Sequence, residues 1–117
     1  MKNTAGAIFD ILVLTLVPGT ALQFDQLYRE LSLPMLKRWG VQLIAFGPTL
    51  HDEHTYLVVR HYKDLEDRQQ CQDAFYGSDE WRMGPRERIM SLIESYSSVV
   101  ISANQNLVDG FRQLNIE

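Results

Sequence analysis

The chain has 117 residues, of which 45% are hydrophobic and 22% charged, a composition typical of one folded domain spanning residues 1–117 and not of a disordered segment. Its formal net charge is -4, from 11 basic and 15 acidic residues. The sequence contains no basic run interleaved with aromatic residues, so we expect no nucleic-acid partner. Cys71 is the single cysteine, which rules out an intramolecular disulfide and favours a reducing, cytoplasmic location.

The first apolar segment, Ala7–Val17 with the sequence AIFDILVLTLV, predicts a β-strand. It is too short to span a bilayer, contains Asp10 and ends at Pro18-Gly19, so we expect neither a signal peptide nor a membrane partner.

A helix is predicted to follow this strand and its turn. Thr20 and Gln23 have the spacing of a capping box, and Gly40 is suited to end the helix. Pro34 predicts a kink or a short break near residues 32–33, because proline cannot donate the backbone hydrogen bond of a regular helix.

The remaining segments predict strands and helices in alternation. Asp64 with Asp67, and Ser78 with Asp79 and Glu80, have the pattern of capped helix starts. The predicted elements are strands at Val41–Gly47, Thr55–Tyr62 and Ser95–Ser102, helices at Leu65–Gly77 and from Ser78 irregularly to about Ile93, and a short C-terminal helix bearing Leu107, Val108, Phe111 and Leu114 on one face.

The order of these elements, βαββαβ, predicts an α+β ferredoxin-like fold. Such a fold has a four-stranded antiparallel sheet with two helices on one face. The other face should then be polar, but the first strand is apolar on both faces. Phe9, Ile11 and Val13 alternate with Leu12, Leu14 and Leu16. We therefore expect a second copy of the chain to cover the open face in a homodimer, with coverage by the C-terminal helix as the alternative.

Four segments together resemble the NIPSNAP family of the dimeric α/β-barrel superfamily: FDILVLTLVPGTALQFDQLY, LPMLKRWGVQLIAFG, LVVRHYKDLEDR and SDEW. The resemblance covers residues 9–102 and implies the same ferredoxin-like fold and a barrel-like dimer. The first strand of that family often carries an arginine and a tyrosine. Here the corresponding positions hold Leu12 and Leu14, which implies a more apolar cleft and makes both leucines candidate ligand contacts.

Arg60 and His61 are candidate functional residues that must point to opposite faces of their strand. Arg60 could bind an anionic ligand or neutralise Asp10. His61 could act as a general base near neutral pH, or could simply be a hydrogen-bonded packing residue.

Trp81 and Tyr96 are further candidate ligand contacts. Trp81 is expected first to anchor its helix on the sheet and second to form the wall of a pocket, since the resemblance places its segment near the mouth of the cleft. Tyr96 with Ser98 could orient a ligand, or could belong to a half-solvated edge strand.

His51 and His54 flank two acidic residues, but a His-x-x-His pair without further ligands is a weak metal motif, and a solvated turn is the preferred interpretation. We therefore expect no metal and no cofactor.

Three functions remain open at this point. The first is binding of a small apolar or aromatic molecule between sheet and helices. The second is the chemistry of a cofactor-independent monooxygenase or isomerase, as the superfamily implies, with His61 as base. The third is an assembly module without a ligand.

Overall fold

The computed structural model describes residues 7–103 as four strands, five short α-helices and one π-helical segment. In chain order these are β1 (Ile8–Leu16), α1 (Ala21–Leu27), the π-helical segment (Tyr28–Ser32), α2 (Leu33–Arg38), β2 (Gln42–Pro48), β3 (Thr55–Tyr62), α3 (Leu65–Tyr76), α4 (Asp79–Arg82), α5 (Arg86–Met90) and β4 (Ile93–Ser102). The predicted C-terminal helix lies outside the described residues.

The four strands form one antiparallel sheet in the order β2-β3-β1-β4. The two strands that begin and end the βαββαβ order, β1 and β4, are neighbours, and β1 pairs with β3 on its other side. This arrangement confirms the predicted α+β ferredoxin-like fold.

The first helical region contains a widened turn where the sequence predicts a kink. The backbone N–H of Leu33 donates to the carbonyl of Tyr28, five residues earlier. Pro34, in the first turn of α2, explains this position, because its ring would collide with the carbonyl of Glu30 in a regular α-helix. The region ends as predicted at Gly40, whose φ of 76° suits glycine.

The helix starts were predicted with mixed success. Asp64 accepts a hydrogen bond from the backbone N–H of Asp67 at 2.7 Å, and Ser78 accepts one from that of Trp81 at 3.2 Å, so both predicted caps are confirmed. The capping box at Thr20 is wrong, because the Thr20 hydroxyl instead donates to the carbonyl of Val17. The irregular helix after Ser78 is divided into α4 and α5.

The two faces of the sheet differ in their cover. On β3, Tyr56, Val58, Arg60 and Tyr62 are buried beneath the helices, whereas the alternating residues are only half-buried. The open face carries an apolar patch from three strands: Phe9, Ile11, Val13, Leu57, Val59, Val99 and Ile101. Phe9, Ile11 and Val13, the apolar residues of β1 on this face, are therefore only partly covered in the single chain.

Among the helices of residues 7–103, none is both long and apolar enough to cross a membrane.

Candidate functional site

A cavity of about 370 Å³ lies between the helix-covered face of the sheet and the helices. β1, β3 and β4 contribute one wall, and the five α-helices and the π-helical segment contribute the other. Its mouth is marked by Tyr96 and Arg86, which line the cavity and are exposed. The apolar lining includes Leu12, Leu14, Phe24, Phe75, Trp81, Ile89 and Met90. These side chains offer a small molecule an aromatic and aliphatic surface.

The structure brings five of the six predicted site residues together on this cavity: Leu12, Leu14, Arg60, Trp81 and Tyr96. Tyr96 and Ser98 reach it from β4, which is an edge strand. Tyr96 lies directly opposite Leu14 in the sheet, and Ser98 lies opposite Leu12.

His61 is the predicted site residue that the structure places elsewhere. Successive side chains of a strand alternate between faces, so Arg60 enters the cavity and His61 points to the open face. There its ring makes an edge contact with Phe9, with 5.8 Å between the ring centroids. The base that we considered from sequence therefore lies on the opposite side of the sheet from the cavity.

Arg60 is held at the cavity by the buried carboxylate of Asp10. Nη2 of Arg60 donates to Oδ1 of Asp10 at 3.0 Å, and the two residues face each other across the β1–β3 pair. Oδ2 of Asp10 accepts from Arg68 Nε and, at 3.2 Å, from Gln72 Nε2. Asp10 is fully buried, so these bonds replace the water that the charge has lost. Arg60 thus neutralises Asp10, which is one of the two roles considered for it from the sequence.

The ionised state of this cluster is favoured by its geometry. Burial alone would raise the pKa of Asp10, but the hydrogen bond from Arg68 and the charge and hydrogen bond of Arg60 together lower it. Burial alone would lower the pKa of Arg60, but the neighbouring Tyr76, Tyr62 and Asp10 raise it overall. Both groups are therefore charged at neutral pH.

Two buried polar atoms beside the cavity lack a protein partner. Nη1 of Arg60 donates to the Tyr76 hydroxyl at 2.8 Å, but within residues 7–103 no protein group bonds to Arg60 Nε or to Ser32 Oγ. Arg60 is only 5% exposed and Ser32 only 3%, and both line the cavity. Unpaired buried groups of this kind are uncommon and costly, which makes these two groups of the cavity lining the strongest sign of a binding site.

The aromatic wall of the cavity is centred on Trp81. Its ring lies 5.6 Å from that of Phe75 and 5.5 Å from that of Tyr76, measured between centroids, and the residue is 7% exposed. Glu80 holds the same helix to the end of α2, because it pairs with Arg38 and accepts from Trp39 Nε1 at 2.9 Å. Trp81 therefore packs as the predicted anchor and also lines the cavity.

The polar residues of this site that were not identified from the sequence include Ser32, Arg68, Gln72 and Tyr76. The last three are spaced four residues apart along α3, which places them on one helix face. That polar stripe, together with the acidic Asp10 inside an apolar strand, was the available signal.

His51 and His54, for which the sequence favoured a solvated turn over a metal site, lie in the turn between β2 and β3. Asp52 accepts a hydrogen bond from the backbone N–H of His54 at 2.7 Å, which is the geometry of a polar turn. Across the described part of the chain, no group of three or more His, Cys, Asp or Glu residues is arranged to hold a metal ion.

Fold and cavity together define an α+β ferredoxin-like domain with a small apolar cavity between sheet and helices. No protein-family model matches the chain, and no curated protein is significantly similar to it. Solved structures do match. A NIPSNAP-like domain protein from Burkholderia xenovorans has a TM-score of 0.79 at 20% identity, over 86% of this chain and 88% of that one. A NIPSNAP family protein from Agrobacterium tumefaciens strain C58 has a TM-score of 0.76 at 19% identity, over the same shares of the two chains.

A protein from Bordetella bronchiseptica, provisionally described as an antibiotic biosynthesis monooxygenase, has a TM-score of 0.69 at 15% identity, over 85% of this chain and 98% of that one. At these identities the matches show a common fold. The chain has the fold of NIPSNAP family proteins, as the sequence resemblance implied.

Proposed function

We propose that the protein binds a small apolar or aromatic molecule in the cavity between sheet and helices. The observation that carries this proposal is the cavity itself, because about 370 Å³ lined by Trp81, Phe75, Phe24 and Leu14 lies within the domain. Small-molecule sites are typically apolar concavities of roughly 300–1,000 Å³, so this cavity suits a ligand of one or two rings. Leu12, Tyr96 and Arg60 complete the proposed contacts.

We also propose that the protein acts as a homodimer through the open face of the sheet. The apolar patch on that face includes Phe9, Ile11 and Val59, and uncovered apolar patches that extend over several strands are typical of interfaces. A sheet packed on its own copy about a two-fold axis would bury this surface and leave the cavity free on the helix side.

The alternative functions receive less support from the geometry. A monooxygenase or isomerase that uses His61 as base requires that residue beside its substrate, whereas His61 lies across the sheet from the cavity. The neighbour from Bordetella bronchiseptica supports this alternative through its fold alone. An assembly module without a ligand would be expected to fill its interior, and unpaired polar atoms at a cavity argue against that option.

The binding proposal can be tested with N-phenyl-1-naphthylamine, a neutral probe whose fluorescence rises in apolar surroundings. We expect saturable binding to the wild-type protein. Leu12→Trp should weaken it at least about tenfold, because the larger ring fills the cavity that Leu12 lines.

Leu22→Trp is the matched control, since Leu22 lies exposed on α1 and does not line the cavity. Probe binding that is absent from the wild-type protein, or that is equal in the two variants, would contradict a ligand site in this cavity.

A further inference from the structure

We propose that the buried polar groups in the lining of this cavity form a subsite for a single negative charge, so that the ligand is an aromatic monocarboxylate or a similar monoanion. This inference rests on the proposed ligand-binding function and specifies the chemical class of the ligand. Ser32 and Arg60 form the subsite, and the aromatic wall around Trp81 holds the ring.

The charge balance of the site favours an anion. Arg60 and Arg68 both contact the carboxylate of Asp10, so two positive charges meet one negative charge. Arg86 adds a third arginine at the mouth, and the lining drawn from the described residues contains no Asp or Glu. A cavity with an excess of positive charge and little water strongly favours negatively charged ligands.

The free hydrogen-bonding capacity of the site matches a carboxylate. Asp10 and Tyr76 occupy both terminal nitrogens of Arg60, which leaves its Nε–H as a donor. The Ser32 hydroxyl is a second donor on the same cavity. Two donors can serve a carboxylate, whose oxygens accept hydrogen bonds only, and bonds that involve charged groups are about twice as strong as neutral ones.

The helical region that carries Ser32 departs from a regular α-helix at this residue. The π-helical segment presents Tyr28 and Ser32 to the cavity, and such widened turns occur frequently at functional sites. Because both donors are at least nine-tenths buried, their bonds to a ligand would be shielded from water.

The test compares 2-naphthoate with 2-naphthamide at neutral pH, by isothermal titration calorimetry on the full chain. The two compounds share their rings and shape, and only the first carries a charge. We expect naphthoate to bind at least about tenfold more tightly, because only it neutralises the excess charge. Ser32→Ala should weaken naphthoate binding several-fold and naphthamide binding less, because the hydroxyl bonds more strongly to a charged carboxylate than to a neutral amide.

The outcomes separate this inference from the proposed function. If both compounds bind equally, or if Ser32→Ala leaves naphthoate binding unchanged, the anion subsite is overturned while an apolar cavity site stands. If neither compound binds, both proposals are overturned. Arg60→Met supplies a further check wherever that variant folds, since it should abolish the preference for naphthoate. If Arg60→Met does not fold, Ser32→Ala still decides the test, because that change removes only one hydroxyl.

Discussion

Arg60 and Asp10 lie directly opposite each other on neighbouring antiparallel strands, and their side chains form a buried ion pair with 3.0 Å between Nη2 and Oδ1. A cross-strand pair on the covered face of a sheet is held by the sheet register, so this arginine keeps its place whether or not a ligand is present. The pair thus stabilises the fold at neutral pH and at the same time positions a cation at the cavity.

Asp10→Asn should lower the free energy of unfolding by about 3–5 kcal/mol at pH 7, because it leaves Arg60 buried without its counter-charge. The folded-state pKa of Asp10 lies below its ordinary value of 3.8. The stability that ionised Asp10 contributes to the fold is therefore fully present above about pH 5 and is lost as the pH falls below about 4. Urea unfolding of the wild-type and Asp10→Asn proteins, measured in steps of about one pH unit between pH 3 and pH 7, checks this prediction. The difference in unfolding free energy between the two proteins should become smaller at acid pH.

Asp25→Asn provides the matched control for that experiment. Asp25 also has a lowered pKa, since the hydrogen bonds from Tyr56 and Arg29 outweigh the opposing effect of burial. Asp25 is less buried than Asp10, so Asp25→Asn should lower the free energy of unfolding by only about 1 kcal/mol. An equal cost at the two positions would contradict the special burial that we assign to Asp10.

Ser32→Ala should leave stability unchanged or raise it by up to about 1 kcal/mol, because no protein group within the described residues bonds to its buried hydroxyl. Ser78→Ala is the paired control and should lower stability by about 1 kcal/mol, since Ser78 caps α4. Chemical unfolding at neutral pH measures both. A large loss in Ser32→Ala would mean that the hydroxyl serves the fold and not a ligand.

Trp81→Ala should lower the free energy of unfolding by roughly 3–5 kcal/mol, the usual loss for a large buried aromatic side chain. Trp81→Phe should restore most of this, because the ring contacts with Phe75 and Tyr76 largely survive. Thermal melts with and without a cavity ligand separate stability from binding. A Trp81→Ala protein as stable as the wild type would contradict the anchoring role.

The open face of the sheet predicts a dimer at micromolar concentration in sedimentation equilibrium. Val59→Glu should shift the protein to monomer with an unchanged circular dichroism spectrum, because Val59 lies in the half-buried apolar patch. Leu14→Glu lies on the covered face, so it should cost several kcal/mol of stability and not act on the interface. A wild-type monomer would remove the argument for a sheet-to-sheet partner.

Much of the architecture follows from local patterns in the sequence. Apolar and β-branched runs predict the strands, and the caps at Asp64 and Ser78 and the closing glycine at Gly40 mark where helices begin and end. These signals can be found in sequence because each depends on residues only a few positions apart. The failed capping box at Thr20 shows the limit of such signals, since its hydroxyl bonds to the preceding turn and not to the helix.

Which residues meet at the cavity could be learned only from the tertiary structure. Sequence patterning established that Arg60 and His61 point to opposite faces, but only the packed helices decide which of those faces contains the cavity. The partners of Asp10 were equally out of reach, because Arg68 is 58 positions away and Gln72 is 62. The sequence alone therefore determined the fold and a two-sided apolar sheet, whereas helix packing decided that a buried arginine, and not a histidine, meets the cavity. The physical reason is that strand alternation is local, and the choice of covered face depends on long-range contacts.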